Sequence, residues 1–364
     1  MNVLFVSNDP LIFRKESAVR SRLKAYAAYF DELHVISPAP DDAELVKDGN
    51  LFLYPVFANR LLRIPVMAYG ARILVKKRGI TVVSAQDPFE QGLAALFAAL
   101  FTDAKLHIQI HTDFLSPFFI RESVLNRVRL CIAAVTLRAA GGIRVVSERV
   151  RHSLIARYGR GIAEPSVIPV ALPALSVPAA RLPTNAFMFS FIAVSRLEPE
   201  KCVSDMLSAL VLVRRTYPNV GLFIAGEGSL RASLIARARA LGLSDNVVFL
   251  GRREDARGLM KSAQAFVQAS AHEGYGLTLL EAALSGTPIA STDVGIMGDV
   301  LSPETDALIS GVHDIDGLAK NMLRLIDNAP LRETLSTHAK HAAEAHCARY
   351  ADQPRLIAED LKSL

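Results

Sequence analysis

The sequence predicts an α/β protein of two parallel-sheet domains, and three observations predict it. Short apolar strand-like runs alternate with amphipathic helical stretches through the first half of the chain. An aperiodic stretch over residues 171–184 (ALPALSVPAARLPT), with three prolines, then breaks the alternation. A second alternating series starts at residue 187 and runs to the C-terminal helices. At 364 residues, 51% apolar and 21% charged, the chain has the size and composition for two well-cored domains.

In the first half, residues 3–6 (VLFV) read as a buried strand, and Val19, Leu23, Tyr26 and Phe30 fall near helical spacing from residue 18 onward. Strand-like runs recur at 33–36, 51–56, 81–84, 106–110 and 143–146, with helical patterns around 64–77, 90–101 and 122–139. In the second half, the segment from residue 187 (FMFSFIAVS) is a strand, followed by a helix near 203–217, a strand at 222–225 and a helix near 230–241. Strands at 247–250 and 265–269, a helix bearing Glu281 and a strand at 288–291 come next, then helices near 315–327, 331–346 and 353–363. The expected division is a first domain over 1–172, a linker over 173–186, a second domain over 187–348, and a C-terminal helix over 349–364 that packs back toward the first domain. Both halves read as Rossmann-type layers, in which ligands bind at the carboxyl ends of the strands. Two such layers facing across a cleft would place a site between them.

Charge narrows the partners. The balance of 41 basic against 36 acidic residues gives +5, with a pI of 9.1. That mild excess suits anionic ligands or an anionic membrane surface and is too small to argue for nucleic acid. Cys131, Cys202 and Cys347 are widely spaced, and no pair has metal-ligand spacing, so a reduced, cytoplasmic setting and no metal are expected. The first residues show no signal-peptide pattern, and apolar runs such as 92–101 are too short to span a bilayer.

Residues 272–287 (HEGYGLTLLEAALSGT) are the most informative segment. Glu273 and Glu281, with seven residues between them, flank a Gly274-Tyr275-Gly276 bend that opens an apolar helix at Leu277. Glycines let the main chain approach a ligand closely, and a helix start offers unpaired amides and roughly half a positive charge to an anion. Ionised carboxylates accept hydrogen bonds from sugar hydroxyls. Together these features describe a nucleotide-sugar site. A plainer reading stays open: Thr278 and Glu281 fit a Ser/Thr-x-x-Glu capping box.

After the strand near 191–194, the loop SRLEPEK delivers Arg196 and Lys201, two cations suited to a diphosphate, or alternatively two solvated loop residues. The run over 194–210 (VSRLEPEKCVSDMLSAL), AGEGSLRASL at 225–234 and the segment above together resemble the retaining family-four, or group 1, glycosyltransferases. The first half matches more loosely, through Gln86-Asp87-Pro88-Phe89, His111 and Val145-Val146-Ser147.

The resemblance implies a GT-B fold, with an acceptor-binding first domain and a nucleotide-sugar-binding second domain. It implies an enzyme that moves a hexose, with retention, from a UDP- or GDP-linked donor to a glycan or lipid-linked acceptor, without a metal or other cofactor. By position, it assigns Arg196 and Lys201 to the leaving diphosphate, and Glu273 with the amides of Gly274, Tyr275, Gly276 and Leu277 to the donor sugar and phosphate. Glu281 would hold the ribose, Gly226 and Gly228 would permit close approach near the nucleotide, and Gly251 and Arg252 would lie beside the base. His111 would touch the transferred sugar; a histidine in such a place, taken on its own, is more often a satisfied core residue.

The sequence departs from the family at Ser195 and Cys202, which stand where glycines are usual. Residues 8–17 (NDPLIFRKES) replace a glycine-rich loop, and Val294-Gly295-Ile296 keeps one glycine of a pair. A nucleotide-sugar epimerase and a non-catalytic nucleotide-sugar-binding subunit are the alternatives. His338, His341 and His346 read as a solvated helix face, as do Arg151 and His152. Phe118, Phe119 and Leu125 among Arg121, Arg127 and Arg129, with Lys76, Lys77 and Arg78, form a candidate peripheral membrane contact or an ordinary amphipathic helix.

Overall fold

The computed structural model describes residues 1–59, 62–172, 177–183 and 187–364. The expected linker over 173–186 therefore lies in part outside the described residues. The chain divides into one unit of Met1–Ala171 with Asp352–Leu364 and a second of Leu172–Ala351.

The first unit is built on eight strands: β1 (Asn2–Val6), β2 (Glu32–Pro38), β3 (Val46–Asp48), β4 (Leu51–Val56), β5 (Ile80–Ala85), β6 (Lys105–Ile110), β7 (Gly142–Val145) and β8 (Pro165–Val167). Their order is β3-β4-β2-β1-β5-β6-β7-β8. Every pairing is parallel except β3 with β4 at one edge. Its helices are α1 (Ala18–Ala27), α2 (Arg63–Arg78), α3 (Glu90–Ala99), α4 (Pro117–Glu122), α5 (Val124–Ala139) and α6 (Glu148–Tyr158).

Alternation along β1 explains the two layers, because successive side chains of a strand point to opposite faces. Leu4 and Val6 join Met67 and Ala71 of α2, Ala94 and Ala98 of α3, and Leu137 of α5. Val3 and Phe5 join Leu23 and Ala27 of α1 on the other face. The pattern expected over 122–139 is two helices, because Ser123 ends α4 and caps α5, its side chain accepting from Asn126 N.

The second unit holds six parallel strands: β9 (Phe189–Val194), β10 (Val220–Ala225), β11 (Val247–Gly251), β12 (Ala265–Gln268), β13 (Ile289–Thr292) and β14 (Leu308–Ser310). They are ordered β11-β10-β9-β12-β13-β14. Its helices are α7 (Val203–Thr216), α8 (Arg231–Ala240), α9 (Ala256–Ser262), α10 (Leu277–Leu284), α11 (Ile315–Asp327) and α12 (Ala329–Arg349). Phe191 and Ala193 of β9 pack with Met206 and Leu210 of α7 and Met322 of α11. The described residues 177–183 lie along α9, where Ala180 N donates to Gly258 O (2.9 Å) and Ser262 Oγ donates to Ala180 O (2.6 Å).

The last helix, α13 (Gln353–Lys362), belongs to the first unit. Ile357, Ala358 and Leu361 fill the α1 face of the sheet. Asp360 reaches the buried His107 of β6, at 3.0 Å from Nε2, while His107 Nδ1 lies 2.8 Å from Ser84 Oγ. None of the described helices is long and apolar enough to cross a membrane.

Candidate functional site

In the second unit, the carboxyl ends of β9, β10 and β12 deliver three loops that are stitched to one another. Ser195 N donates to Ala225 O (3.1 Å), Leu197 N to Glu227 O (2.9 Å) and Leu230 N to Leu197 O (3.0 Å). Glu198 accepts from both the amide (2.9 Å) and the hydroxyl (2.6 Å) of Ser229. Ala271 N donates to Glu200 O (2.8 Å), which joins the first loop to the one that carries Glu273.

The glycines make this stitching possible. A Cβ on Gly226, where φ is +148°, would sit 1.8 Å from Ser195 O, and one on Gly228 would sit 2.5 Å from Leu197 O. The side-chain space at both positions is thus taken up by neighbouring backbone rather than left open to a ligand. Gly276 (φ +84°) is the N-cap of α10, and Gly295 packs against it: a Cβ there would meet Tyr275 O at 2.4 Å.

Lys201 sits in a 3-10 turn (Pro199–Lys201), and its Nζ lies 2.6 Å from Glu273 Oε1. Both side chains are mostly buried, at 13% and 14% exposure. Glu273 Oε1 also accepts from Ser270 Oγ (2.9 Å) and Gln268 Nε2 (3.5 Å). Arg196, by contrast, is 71% exposed and pairs with Glu200 at 2.6 Å. The structure therefore brings Lys201 and Glu273 together, with Arg196 at the solvent edge of the same loop.

The capping-box reading of Thr278 and Glu281 is not realised. Gly276 caps α10 without a side-chain hydrogen bond, and Thr278 Oγ1 donates to Gln268 Oε1 (2.8 Å). Thr278 instead orients the glutamine that touches Glu273. Glu281 is partly buried; burial raises its pKa, and the nearby Arg257 draws it back part of the way. Tyr275 turns its side chain inward, and its hydroxyl lies 2.7 Å from His346 Nε2. Only the Tyr275 backbone remains to meet a ligand. Burial pushes the phenol pKa up, and burial, with Arg349, pushes that of His346 down. His346 is thus a packing partner, while His338 and His341 are exposed on α12. Gly251 has φ +68°, beside the Glu227 carboxylate, and Arg252 is exposed in the following turn.

In the first unit, the carboxyl ends of β5, β6 and β7 lead into Gln86–Phe89, His111 and Ser147. Asp87 Oδ1 accepts from Phe89 N (2.7 Å), and burial raises its pKa to about 6. Ser147 caps α6 through Val150 N. His111 keeps solvent contact, and desolvation by the surrounding protein, then Arg144 and Arg22, pull its pKa below the ordinary value. The imidazole is therefore neutral at pH 7. The segment 8–17 forms a 3-10 turn (Pro10–Phe13) capped by Asp9, and Ser17 caps α1.

Of the expected amphipathic face, Phe119 is core, stacked on Phe89, and Arg129 is paired with Glu90 at 2.8 Å. Leu125 of that face is exposed, as are Val124 and Val128 beside it on α5, and a second exposed apolar surface lies between α2 and α3. Tyr69, Phe97 and Phe101 line a hollow of about 540 Å³ between α2 and α3, and Lys76, Lys77 and Arg78 form the last turn of α2.

Sequence reasoning passed over Ser270, Gln268 and Arg257, which surround the two glutamates. Ser270 lies three residues before Glu273 in the same segment, whereas Arg257 lies on another helix and carries no local signal.

Two family models match the chain: "Glycosyl transferases group 1" over residues 185–342 and "Glycosyltransferase Family 4" over residues 16–172. A glycogen synthase of Mycobacterium tuberculosis is 31% identical over 207 residues, 56% of this chain and 50% of that protein. The chain thus spans about half the length of this curated relative. A sucrose-phosphate synthase structure from Thermosynechococcus elongatus superposes with a TM-score of 0.82 at 17% identity, covering 98% of this chain and 97% of that one. Anabaena HepE, solved with UDP-glucose, gives a TM-score of 0.77 at 20% identity over 100% of both chains. The fold is GT-B, with two Rossmann-like parallel-sheet domains.

Proposed function

The chain belongs to the group 1 glycosyltransferases of the family-four type, and from that premise we propose that it transfers a hexose, with retention, from a nucleotide-diphosphate sugar to a hydroxyl of a glycan or lipid-linked acceptor. The observation that carries this reading is the meeting of Lys201 and Glu273 at 2.6 Å, beside the start of α10. A cation and a helix N-terminus on one sheet edge suit a diphosphate, and a carboxylate among them suits sugar hydroxyls. UDP-glucose in the Anabaena neighbour supports a uridine donor.

In this reading the glycosidic bond breaks as negative charge collects on the diphosphate. Lys201, Arg196 and the first amides of α10 take up that charge, and no divalent metal is needed for the step. Losing one such donor costs about 3 kcal/mol, roughly a hundredfold in rate. Glu281 accepts the ribose hydroxyls; Glu273 accepts from the sugar. His111, neutral at pH 7, offers a hydrogen bond to the transferred sugar. The departing phosphate assists deprotonation of the acceptor on the same face, which gives retention. The apolar hollow between α2 and α3, with the basic end of α2, suits a lipid-linked acceptor held at an anionic membrane surface.

Thermal shift with UDP- and GDP-hexoses is the first test, since a bound donor stabilises with the logarithm of its saturation. One donor should raise Tm, and Lys201→Ala and Glu281→Gln should each abolish most of the rise. A rise in both variants as large as that of the unaltered chain would refute the site. Turnover is then followed by NMR: an α-linked donor should give an α-linked product. An inverted product refutes retention, an epimerised donor without acceptor indicates an epimerase, and binding without turnover indicates a binding subunit.

A further inference from the structure

We propose that Cys202, Asp205 and His313 bind a zinc ion, at a site separate from the groups assigned to the donor. Sequence spacing gives no hint of it, because His313 lies on the turn after β14, 108 positions from Asp205. The fold places the turn before α7 against the turn before α11. There the Cys202 sulfur, an Asp205 carboxylate oxygen and a His313 ring nitrogen all lie within 4.8 Å of one another. Thiolate, imidazole and carboxylate form a three-ligand set that zinc accepts, with water as the fourth ligand.

The imidazole–carboxylate pair is close to what the ion needs, and the Cys202 sulfur, within 4.8 Å of both, has to turn inward from Pro199 O (3.5 Å) and Glu200 O (3.8 Å). Zinc distances of about 2.3 Å to sulfur and about 2.0 Å to nitrogen or oxygen, at tetrahedral angles, put ligand atoms about 3.3–3.6 Å apart. His313 Nδ1 and Asp205 Oδ2 are hydrogen-bonded at 2.7 Å, so they need to part by only about half an ångström. Asp205 N donates to Cys202 O (2.9 Å), which fixes the two α7 ligands on one turn.

Backbone strain is a second, independent pointer. Cys202 has φ +46° and His313 φ +63°; they are two of the four non-glycine residues with positive φ among the described residues. A left-handed conformation costs a side-chain-bearing residue roughly 1–2 kcal/mol. Strain at Cys202 and at His313, whose side chains face one another, is accounted for if the two share a ligand.

Binding would exchange protons for metal. The Cys202 thiol loses its proton to solvent as the sulfur–zinc bond forms, and His313 gives up the Nδ1 proton it directs at Asp205, keeping its proton on Nε2, so that the freed Nδ1 lone pair meets the ion. The two anionic ligands balance the double charge. The ion would pin the turn that also bears Lys201.

Cobalt is the probe, because a thiolate bound to tetrahedral Co²⁺ gives an intense charge-transfer absorption. The full chain, reduced and metal-free, should take up one equivalent of Co²⁺ with that band, and one equivalent of Zn²⁺ should erase it. Cys202→Gly, which adopts the left-handed backbone without strain, should abolish the band. His313→Asn, which tolerates the left-handed backbone, should weaken binding at least about tenfold. A wild-type chain without the band overturns the proposal. So does a band that survives Cys202→Gly, which would place the sulfur at Cys131 or Cys347, or unchanged affinity in His313→Asn.

Discussion

Lys201 Nζ and Glu273 Oε1 lie 2.6 Å apart, although they come from different loops 72 positions apart in the chain. Both side chains are largely removed from water, so the partner stands in for much of the solvent each has lost. Breaking a pair of this kind from one side typically costs about 3–5 kcal/mol, because the remaining charge is stranded. Lys201→Ala should therefore lower stability by about 3 kcal/mol, softened by the bonds Glu273 keeps from Ser270 and Gln268. Combining it with Glu273→Gln should cost less than the sum of the two single changes. Urea unfolding of the four proteins measures this, and strict additivity would show that the pair is not coupled.

The glycine-rich loop makes a second prediction. Gly226→Ala would drive a Cβ to 1.8 Å from Ser195 O at a φ of +148°, so the loops must separate. The expected loss is at least about 3 kcal/mol, from overpacking added to backbone strain. Gly49→Ala is the control: its φ is +64° and nothing lies within 4 Å of the added atom. It should lose only about 1–2 kcal/mol. Equal drops in Tm for the two variants would mean that crowding at Ser195 plays no part.

These residues show what could be read from sequence. The strands and the long helices were legible because apolar periodicity survives in one dimension: α7, α11 and α13 fall within a residue or so of their expected bounds. The edge strand β3 was not, because Val-Lys-Asp is short and half exposed and carries no period. The α4–α5 break was hidden by continuous amphipathicity across Ser123, and α9 by its seven-residue length. At the site, motif order put Glu273 and Lys201 on one sheet edge but could not pair them. The capping box was misleading for a physical reason: a glycine at positive φ can start a helix alone, which frees Thr278 for Gln268. The inward turn of Tyr275 depends on His346 of α12, a partner with no sequence proximity.

Asp87 supplies a pH dependence. Its pKa rises from 3.8 to about 6, chiefly through burial, so the folded chain holds a proton that the unfolded chain releases. The stabilisation by that proton is complete below pH 3.8 and is lost as pH rises through about 6. Two pH units correspond to at most about 3 kcal/mol, less to the extent that water reaches this partly buried group. Asp87→Asn keeps an acceptor for Phe89 N and removes the titration. Relative to wild type it should gain stability between pH 4 and pH 7, and the difference should level off on either side. A constant difference across that range, measured by urea unfolding, would show that Asp87 does not titrate there.

The attachment of α13 gives the last prediction. Ile357 and Leu361 are each 1% exposed in the core of the first unit, and Asp360 is the partner of His107 Nε2 beneath the sheet. Burial alone would raise the Asp360 pKa; the hydrogen bond and charge of His107, with Ser166 and Arg144, outweigh it and hold the carboxyl below its usual range. Asp360→Ala should cost about 1–3 kcal/mol, since it leaves a buried ring nitrogen without its partner. Leu361→Ala should cost about 2–5 kcal/mol, as lost transfer energy plus the cavity. The losses should be confined to one unit. Amide exchange should quicken in β6 and β7, while β9 and β10 of the other unit keep their protection; uniform loss of protection across both sheets would show that α13 stabilises more than the unit it packs on.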